Sequence, residues 1–317
     1  FVSKSPYSIS RTDTNDRPIS IGAIFPSVSS LIDQTYMMYL NELCQKNNYR
    51  LYSCCSQENV RTEKELLNQY IKSGVQGTIL FPVVTEMNSP MITRLIHGSE
   101  TAPPYPLVFI DRYLENTGGS YIISDNRQGS RLAADYLLNA VGEQIAILHF
   151  PLCNSTVTER YDSFRAAFTS SGIPFTPKND CMIDDLRLLD KSNENRIEYI
   201  MASILQHLRK YNQLQGLFCA NAEIAQIAYY AVIQMKRTPG VDFEIVSFDP
   251  PYLPGVHFIQ QDYRTMVQHA IDLLFAQIQG DFTVVQTRIP TSFIYMDAQP
   301  THTQSLRYLI KGPNQTF

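Results

Sequence analysis

Leu107-Val108-Phe109-Ile110-Asp111-Arg112, followed after a short gap by Ile122-Ile123-Ser124-Asp125-Asn126, is the stretch whose reading decides the fold. A short, β-branched apolar run bounded by polar residues is the pattern of a strand buried on both faces of a parallel sheet, because crossover helices cover both sides. The second run ends at an Asp that opens the helical pattern Gln128 to Ala140. In open α/β sheets, ligands sit outside the carboxyl ends of the strands, so Asp111 and Arg112 stand where a polar ligand binds.

The same alternation extends in both directions. Upstream it predicts a strand at Ile19 to Phe25, a helix through Tyr36, Leu40 and Leu43, a strand at Arg50 to Cys54, and a helix at Glu63 to Ser73. A strand at Gly77 to Phe81 and a helix at Met87 to His97 follow. Downstream it predicts strands at Gln144 to His149, Asp180 to Ile183, Gly216 to Cys219 and Glu244 to Phe248. Helices are expected at Thr158 to Ser170, Asn195 to Leu208 and Ala222 to Met235. After Asp249 the pattern loosens through Pro250-Pro251, then gives a helix at Tyr263 to Gln279 and a strand at Thr287 to Ile289. So many βα alternations argue for an α/β chain with two Rossmann-like lobes built on parallel sheets.

Bulk properties set the function classes. The chain has 317 residues, beyond the roughly 250 to 300 at which one hydrophobic core stops growing. A net charge of -4 without Lys or Arg runs lacks the footprint of a phosphate-neutralising surface, so this chain alone is expected to bind nucleic acid poorly. No apolar stretch reaches the roughly 20 residues needed to cross a bilayer, which predicts a soluble, unanchored protein. Six cysteines, mostly inside apolar segments, read as small hydrophobes in a reduced cytoplasmic protein, and no Cys/His spacing suits a metal. Enzyme motifs are missing too: there is no GxGxxG opening a helix, no GxSxG elbow and no HExxH. The strand-end His149 reads as structural. The expectation is a non-enzyme without cofactor or metal.

The order of motifs resembles the effector-binding part of LacI/GalR bacterial transcription regulators, over about Pro18 to Phe293. The matching pieces are Ile19 to Pro26, Gly77 to Pro82, Val108 to Arg112, Ser124-Asp125-Asn126 with Gly129, and Thr158 to Phe164. Phe218 to Asn221, Ser247-Phe248-Asp249 and Ile259 to Asp262 complete the set. The resemblance implies a periplasmic-binding-protein type I-like fold, two lobes joined by three crossings with a ligand cleft between them. The crossings fall near Asp125, Asp262 and Pro290, giving an N-terminal lobe of residues 18–124 plus 262–289 and a C-terminal lobe of residues 125–261 plus 290–317. Residues 1–17, rich in Ser, Thr, Asp and Asn, read as a linker or arm. Phe1-Val2 resembles the end of the wing of a GntR-type winged helix, which implies a DNA-binding head outside this sequence.

The resemblance also implies site residues. Arg160 is expected at the start of its helix, bonding the effector with its five fixed donors; the plain alternative is an exposed first-turn Arg. Asp249 is expected to take adjacent hydroxyls, or else to cap the turn before Pro250. Asn154, Thr156 and Asn221 are ligand contacts or helix and loop caps. Asp111 is a ligand contact, and Arg112 either joins it or pairs with a neighbouring acid. Asp125 and Asn126 hold a crossing and cap the next helix. In the first lobe the turns holding Ser29, Ser30 and Asp33 and the Val83-Val84-Thr85 segment line the cleft; Tyr36 is a stacking platform or plain core, and Gln261 is a further candidate. The implied partner is a small-molecule effector, a monosaccharide in the first instance, with DNA reached through the missing head of a homodimer. A periplasmic sugar-binding component of a transporter is the alternative.

Overall fold

The computed structural model describes residues 18–298 except 29, 84–88, 153 and 185–192. The 1–17 linker, the Phe1-Val2 likeness and the candidates Ser29, Val84 and Thr85 lie outside the described residues. The chain divides into two compact units, changing from one to the other after Ser124, Gln261 and Ile289.

Unit 1 contains β1 (Ser20–Phe25), α1 (Leu31–Lys46), β2 (Arg50–Cys55), α2 (Val60–Lys72), β3 (Gly77–Leu80), α3 (Ser89–His97), β4 (Leu107–Ile110) and β5 (Ser120–Ser124). Two later elements complete it, α8 (Tyr263–Ile278) and β11 (Gln286–Ile289). The sheet order is β11-β5-β4-β3-β1-β2, and every pair is parallel. Alternate residues of β3 and β4 serve two different cores. Ile79 and Val108 pack with α1 and α8 through Leu40, Met266 and Leu274. Leu80 and Phe109 pack with α2 and α3 through Leu67, Tyr70 and Ile92. Burial on both faces is why these strands read as unbroken apolar runs.

Unit 2 repeats the plan with α4 (Asn126–Val141), β6 (Ile145–His149), α5 (Ser155–Ser170), β7 (Asp180–Met182) and α6 (Asn193–Lys210). β8 (Gly216–Cys219), α7 (Ala222–Gln234), β9 (Glu244–Phe248), β10 (Val256–Gln260) and β12 (Ser292–Ile294) follow. Its order is β12-β10-β9-β8-β6-β7. Ile147, Phe218 and Phe248 face α4 and α5, whereas Leu148, Leu217 and Ile245 face α6 and α7.

The two-sheet α/β architecture agrees with the sequence reading, with three corrections. The chain does not loosen after Asp249: β10 joins β9 in parallel, hidden in sequence by the Pro-rich turn before it and by its mixed composition Val-His-Phe-Ile-Gln. The sheet of unit 2 is not wholly parallel, because β12 runs antiparallel to β10. Finally, α5 begins at Ser155, not at Thr158, because Asn154 accepts the Val157 N–H at 2.8 Å and starts the helix earlier. Arg160 therefore sits in the second turn.

Candidate functional site

The carboxyl ends of the unit 2 strands carry a connected polar cluster. Arg160 is only 4% exposed, which excludes the reading of an exposed first-turn Arg. Its Nε donates to Asn126 Oδ1 at 2.9 Å and one terminal nitrogen donates to the Ala220 carbonyl, just beyond β8, at 2.7 Å. The same nitrogen lies 4.0 Å from Asp249 Oδ2, and the guanidinium carbon stands 3.5 Å over the centroid of the Phe248 ring. A planar cation laid on an aromatic face keeps its edge donors pointing sideways, so its orientation is set by packing as well as by charge.

Asp249 is 1% exposed and accepts a 2.6 Å hydrogen bond from Gln261 Nε2. It adopts φ 76°, in the left-handed region, with its N–H donating to the Ile259 carbonyl at 3.0 Å. The carboxylate is thus tied into the site through Gln261 and Arg160. Behind Arg160, Asn126 donates to Glu159 Oε2 at 3.4 Å, extending the cluster to a second buried carboxylate. Three sequence candidates, Arg160, Asp249 and Gln261, are therefore brought together.

The Asn candidates divide differently. Asn221 caps α7 by accepting the Ile224 N–H at 2.9 Å, and Asn154 caps α5, so the side-chain oxygen of each is occupied by the helix. Thr156 is buried in the first turn of α5. Asp125 caps α4 through the Gln128 N–H, and Asn126 is the first helical residue rather than a cap.

In unit 1, Asp111 follows β4 with φ 69°, its N–H donating to the Ile122 carbonyl at 3.1 Å. Tyr36 Oη donates to Asp111 Oδ1 at 3.4 Å, and Arg112 Nε lies 3.5 Å from Asp111 Oδ2. Arg112 thus pairs with its neighbouring acid. Ser30 donates to Asp33 at 2.6 Å while capping α1. Burial pushes the Asp33 carboxyl up and the Asp111 charge adds to this, while the Ser30 hydrogen bond and the Arg112 charge pull the other way. Asp33, Asp111 and Arg112 therefore share one electrostatic neighbourhood. Tyr36 offers no stacking face: its ring is buried edge-on against Phe81 and Tyr263, leaving only the hydroxyl in polar contact.

Val83 takes part through its backbone, whose N–H donates to Glu63 Oε2 at 2.5 Å. Glu63 was missed by sequence reasoning, as were Glu159 and the placing of Phe248 beneath Arg160. A signal for Glu63 existed: it lies four and seven residues before Leu67 and Tyr70, on the buried stripe of α2. Outside this region, His149 hydrogen-bonds Asp180 at 2.9 Å and the Phe150 carbonyl at 2.6 Å. Among the described residues no group of His, Cys, Asp and Glu is arranged to hold a metal, and no helix is long and apolar enough to cross a membrane.

A model of the periplasmic binding protein domain matches residues 27–282. The chain belongs to that family. It is 24% identical over 279 residues to the HTH-type transcriptional repressor PurR of Pasteurella multocida, covering 86% of this chain and 79% of that protein. It is 22% identical over 287 residues to the ribose operon repressor of Bacillus subtilis, covering 89% and 80%. The complex of the transcriptional regulator CelR with cellobiose superposes with a TM-score of 0.74 at 15% identity, covering 90% of this chain and 86% of that one. The likeness to LacI/GalR-type regulators thus holds for the ligand-binding domain, which is the part matched.

Proposed function

We propose that this chain is the effector-sensing part of a bacterial transcriptional regulator, and that its effector is a small, hydroxyl-rich molecule of the carbohydrate class. The observation that carries the reading is the buried Arg160, Asp249 and Gln261 cluster at the strand ends of unit 2. A guanidinium and a carboxylate fixed by neighbours before any ligand arrives can exchange hydrogen bonds with adjacent hydroxyls at little ordering cost. Asp33, Asp111 and Arg112 supply a second polar set in unit 1. Neither Tyr36 nor Phe248 presents an open ring face, which favours hydroxyls over a flat heterocycle that binds by stacking. The ribose operon repressor and the CelR–cellobiose complex among the relatives support the same class, and the repressors among them favour a regulator over a transporter component. The regulator reading brings with it a homodimer and a DNA-binding domain outside this sequence. We assign no reaction to the chain. The ligand regulates to the extent that it binds one conformational state better than another.

The test is a thermal-shift screen against free and phosphorylated monosaccharides, disaccharides and nucleobases, because ligand at 100 times its Kd adds about 2.7 kcal/mol of stability. A saccharide is expected to raise the melting temperature of the wild type and not of Asp249→Asn, which keeps the shape but loses the charge. A response confined to nucleobases, or an undiminished saccharide response in the variant, overturns the reading.

A further inference from the structure

Unit 1 carries a partly open pocket of about 180 Å3 at the end of its sheet opposite Asp111. Leu107 and Ser120, the first residues of β4 and β5, line it, and Ile96, Phe282 and Val284 give it apolar walls. No carboxylate, Lys or Arg lines it among the described residues; His97, at the wall, directs its Nε2 to the Thr117 carbonyl at 2.9 Å.

Gln277, near the end of α8, is one of the polar residues of the wall and only 5% exposed. Its Oε1 accepts the Leu107 N–H at 2.8 Å, and because that backbone group is a donor, the amide orientation is fixed. The Gln277 amide nitrogen, with two N–H donors, has no hydrogen-bond partner among the described residues. Ser130 Oγ and Gln144 Oε1 are the fully buried side-chain atoms without a partner among the described residues, so this amide nitrogen is instead open to the pocket, where an acceptor can meet its donors. Ser120 stands beside it with its oxygen accepting the Val285 N–H at 3.1 Å, which leaves the hydroxyl proton to donate.

We propose that this cavity is a second ligand site, for an uncharged single-ring molecule whose carbonyl accepts hydrogen bonds from Gln277 and Ser120. The size fits, since an apolar cavity of about 150 Å3 holds benzene. With no carboxylate, Lys or Arg at the wall among the described residues, the pocket favours an uncharged ligand over an ion that would give up hydration. An entrance is present too: Phe282 and Val284 are 37% and 51% exposed, while the adjoining Val285 and Gln286 are bonded to Ser120 and Gly119. The site is separate from Asp111 and the strand ends assigned to the effector.

The experiment titrates the 15N-labelled chain with benzamide, toluene and benzoate and follows backbone amide shifts. Benzamide is expected to shift amides around residues 96–107, 120 and 277–285 and to bind at least tenfold more tightly than toluene, which lacks the acceptor, or benzoate, which is charged. Gln277→Glu keeps an acceptor for Leu107 and removes the donors, so it is expected to lose benzamide binding at least tenfold. Val284→Trp, on the exposed rim, blocks the entrance and leaves the fold intact as judged by its melting temperature; the same loss is expected. No saturable response to benzamide, equal affinity for toluene, or full affinity in Val284→Trp overturns the proposal.

Discussion

Asp111 and Asp249 hold the same place in their two sheets. Each follows the strand third in its sheet's order, adopts a left-handed φ of 69° or 76°, and donates its N–H to the neighbouring strand, at the Ile122 or Ile259 carbonyl. After each, the chain passes into the other unit and opens its next helix with an Asp cap, Asp125 for α4 in unit 2 and Asp262 for α8 in unit 1. The side chains differ. Asp249 is locked by a 2.6 Å bond from Gln261 and faces a buried Arg160, whereas the Asp111 side chain is 15% exposed and held by contacts of 3.4 and 3.5 Å. Four residues after the cap, unit 2 has Gly129, which leaves room for Phe248 beneath Arg160, while unit 1 has Met266, whose sulfur meets Tyr36 and Ser124. One backbone plan thus carries a more deeply buried polar set in unit 2 than in unit 1, and burial decides how strongly a pair of charges is held.

The largest test of that difference compares Arg160→Ala with Arg112→Ala. Removing Arg160 leaves Asp249, Asn126 and the Ala220 carbonyl without their cation, and stranding a buried carboxylate costs about 3–5 kcal/mol. Arg112→Ala removes a less deeply buried contact and is expected to cost about 1 kcal/mol. Urea unfolding of both variants checks this. Equal losses would dissolve the contrast between the units.

Gly129→Ala sharpens the same point. A Cβ there would lie 2.8 Å from both Phe248 and Ile259, closer than real contacts allow, so the ring beneath Arg160 must move. Overpacking of this kind costs about 1–3 kcal/mol. Effector affinity is expected to fall with stability. A variant as stable as wild type with unchanged affinity would show that the Phe248 ring does not position the guanidinium.

The two-sheet α/β fold was legible because burial on both strand faces writes an unmistakable apolar run, as at Val108 and Phe109. β10 was not, since Val256-His257-Phe258-Ile259-Gln260 mixes polar residues into a strand near the sheet edge. The site was legible as a set of positions and not as a network. Arg160, Asp249 and Gln261 stand at strand and helix ends that a sequence can mark. The burial of Arg160 comes from Asn126, Ala220 and Asp249, remote in sequence, and no local pattern announces such partners. Asn154 and Asn221 stayed ambiguous because a cap and a ligand contact ask the same chemistry of the same place after a strand.

Two carboxyls carry the contrast into pH dependence with opposite signs. Burial raises the Asp180 carboxyl, but hydrogen bonds from His149 and Tyr161 outweigh it and hold the group below its ordinary value near 3.8. Its stabilisation is therefore present above pH 3.8 and lost as the pH falls through the lower native pKa. Asp180→Asn is expected to cost up to about 1 kcal/mol near neutrality, the range of a half-exposed pair. The difference from wild type should close in acid. A constant difference from pH 7 to pH 3 would mean that charge plays no part.

Asp33 in unit 1 runs the other way. Burial first, and the Asp111 charge after it, raise its carboxyl above 3.8 in the folded state, despite the Ser30 bond and Arg112. The native state then holds the proton more tightly than the unfolded chain, so the contribution of Asp33 to stability declines as the pH rises from about 3.8 through the native pKa. Asp33→Asn keeps an oxygen for the Ser30 hydroxyl and removes the charge that burial opposes. It is expected to melt at or slightly above the wild-type temperature at pH 7 and to lose that advantage in acid. It should also bind effector more weakly, because an ionised carboxylate accepts stronger hydrogen bonds than an amide. A variant that is less stable at neutral pH, or that binds as well as wild type, would mean that the strained carboxyl of unit 1 is not kept for the ligand.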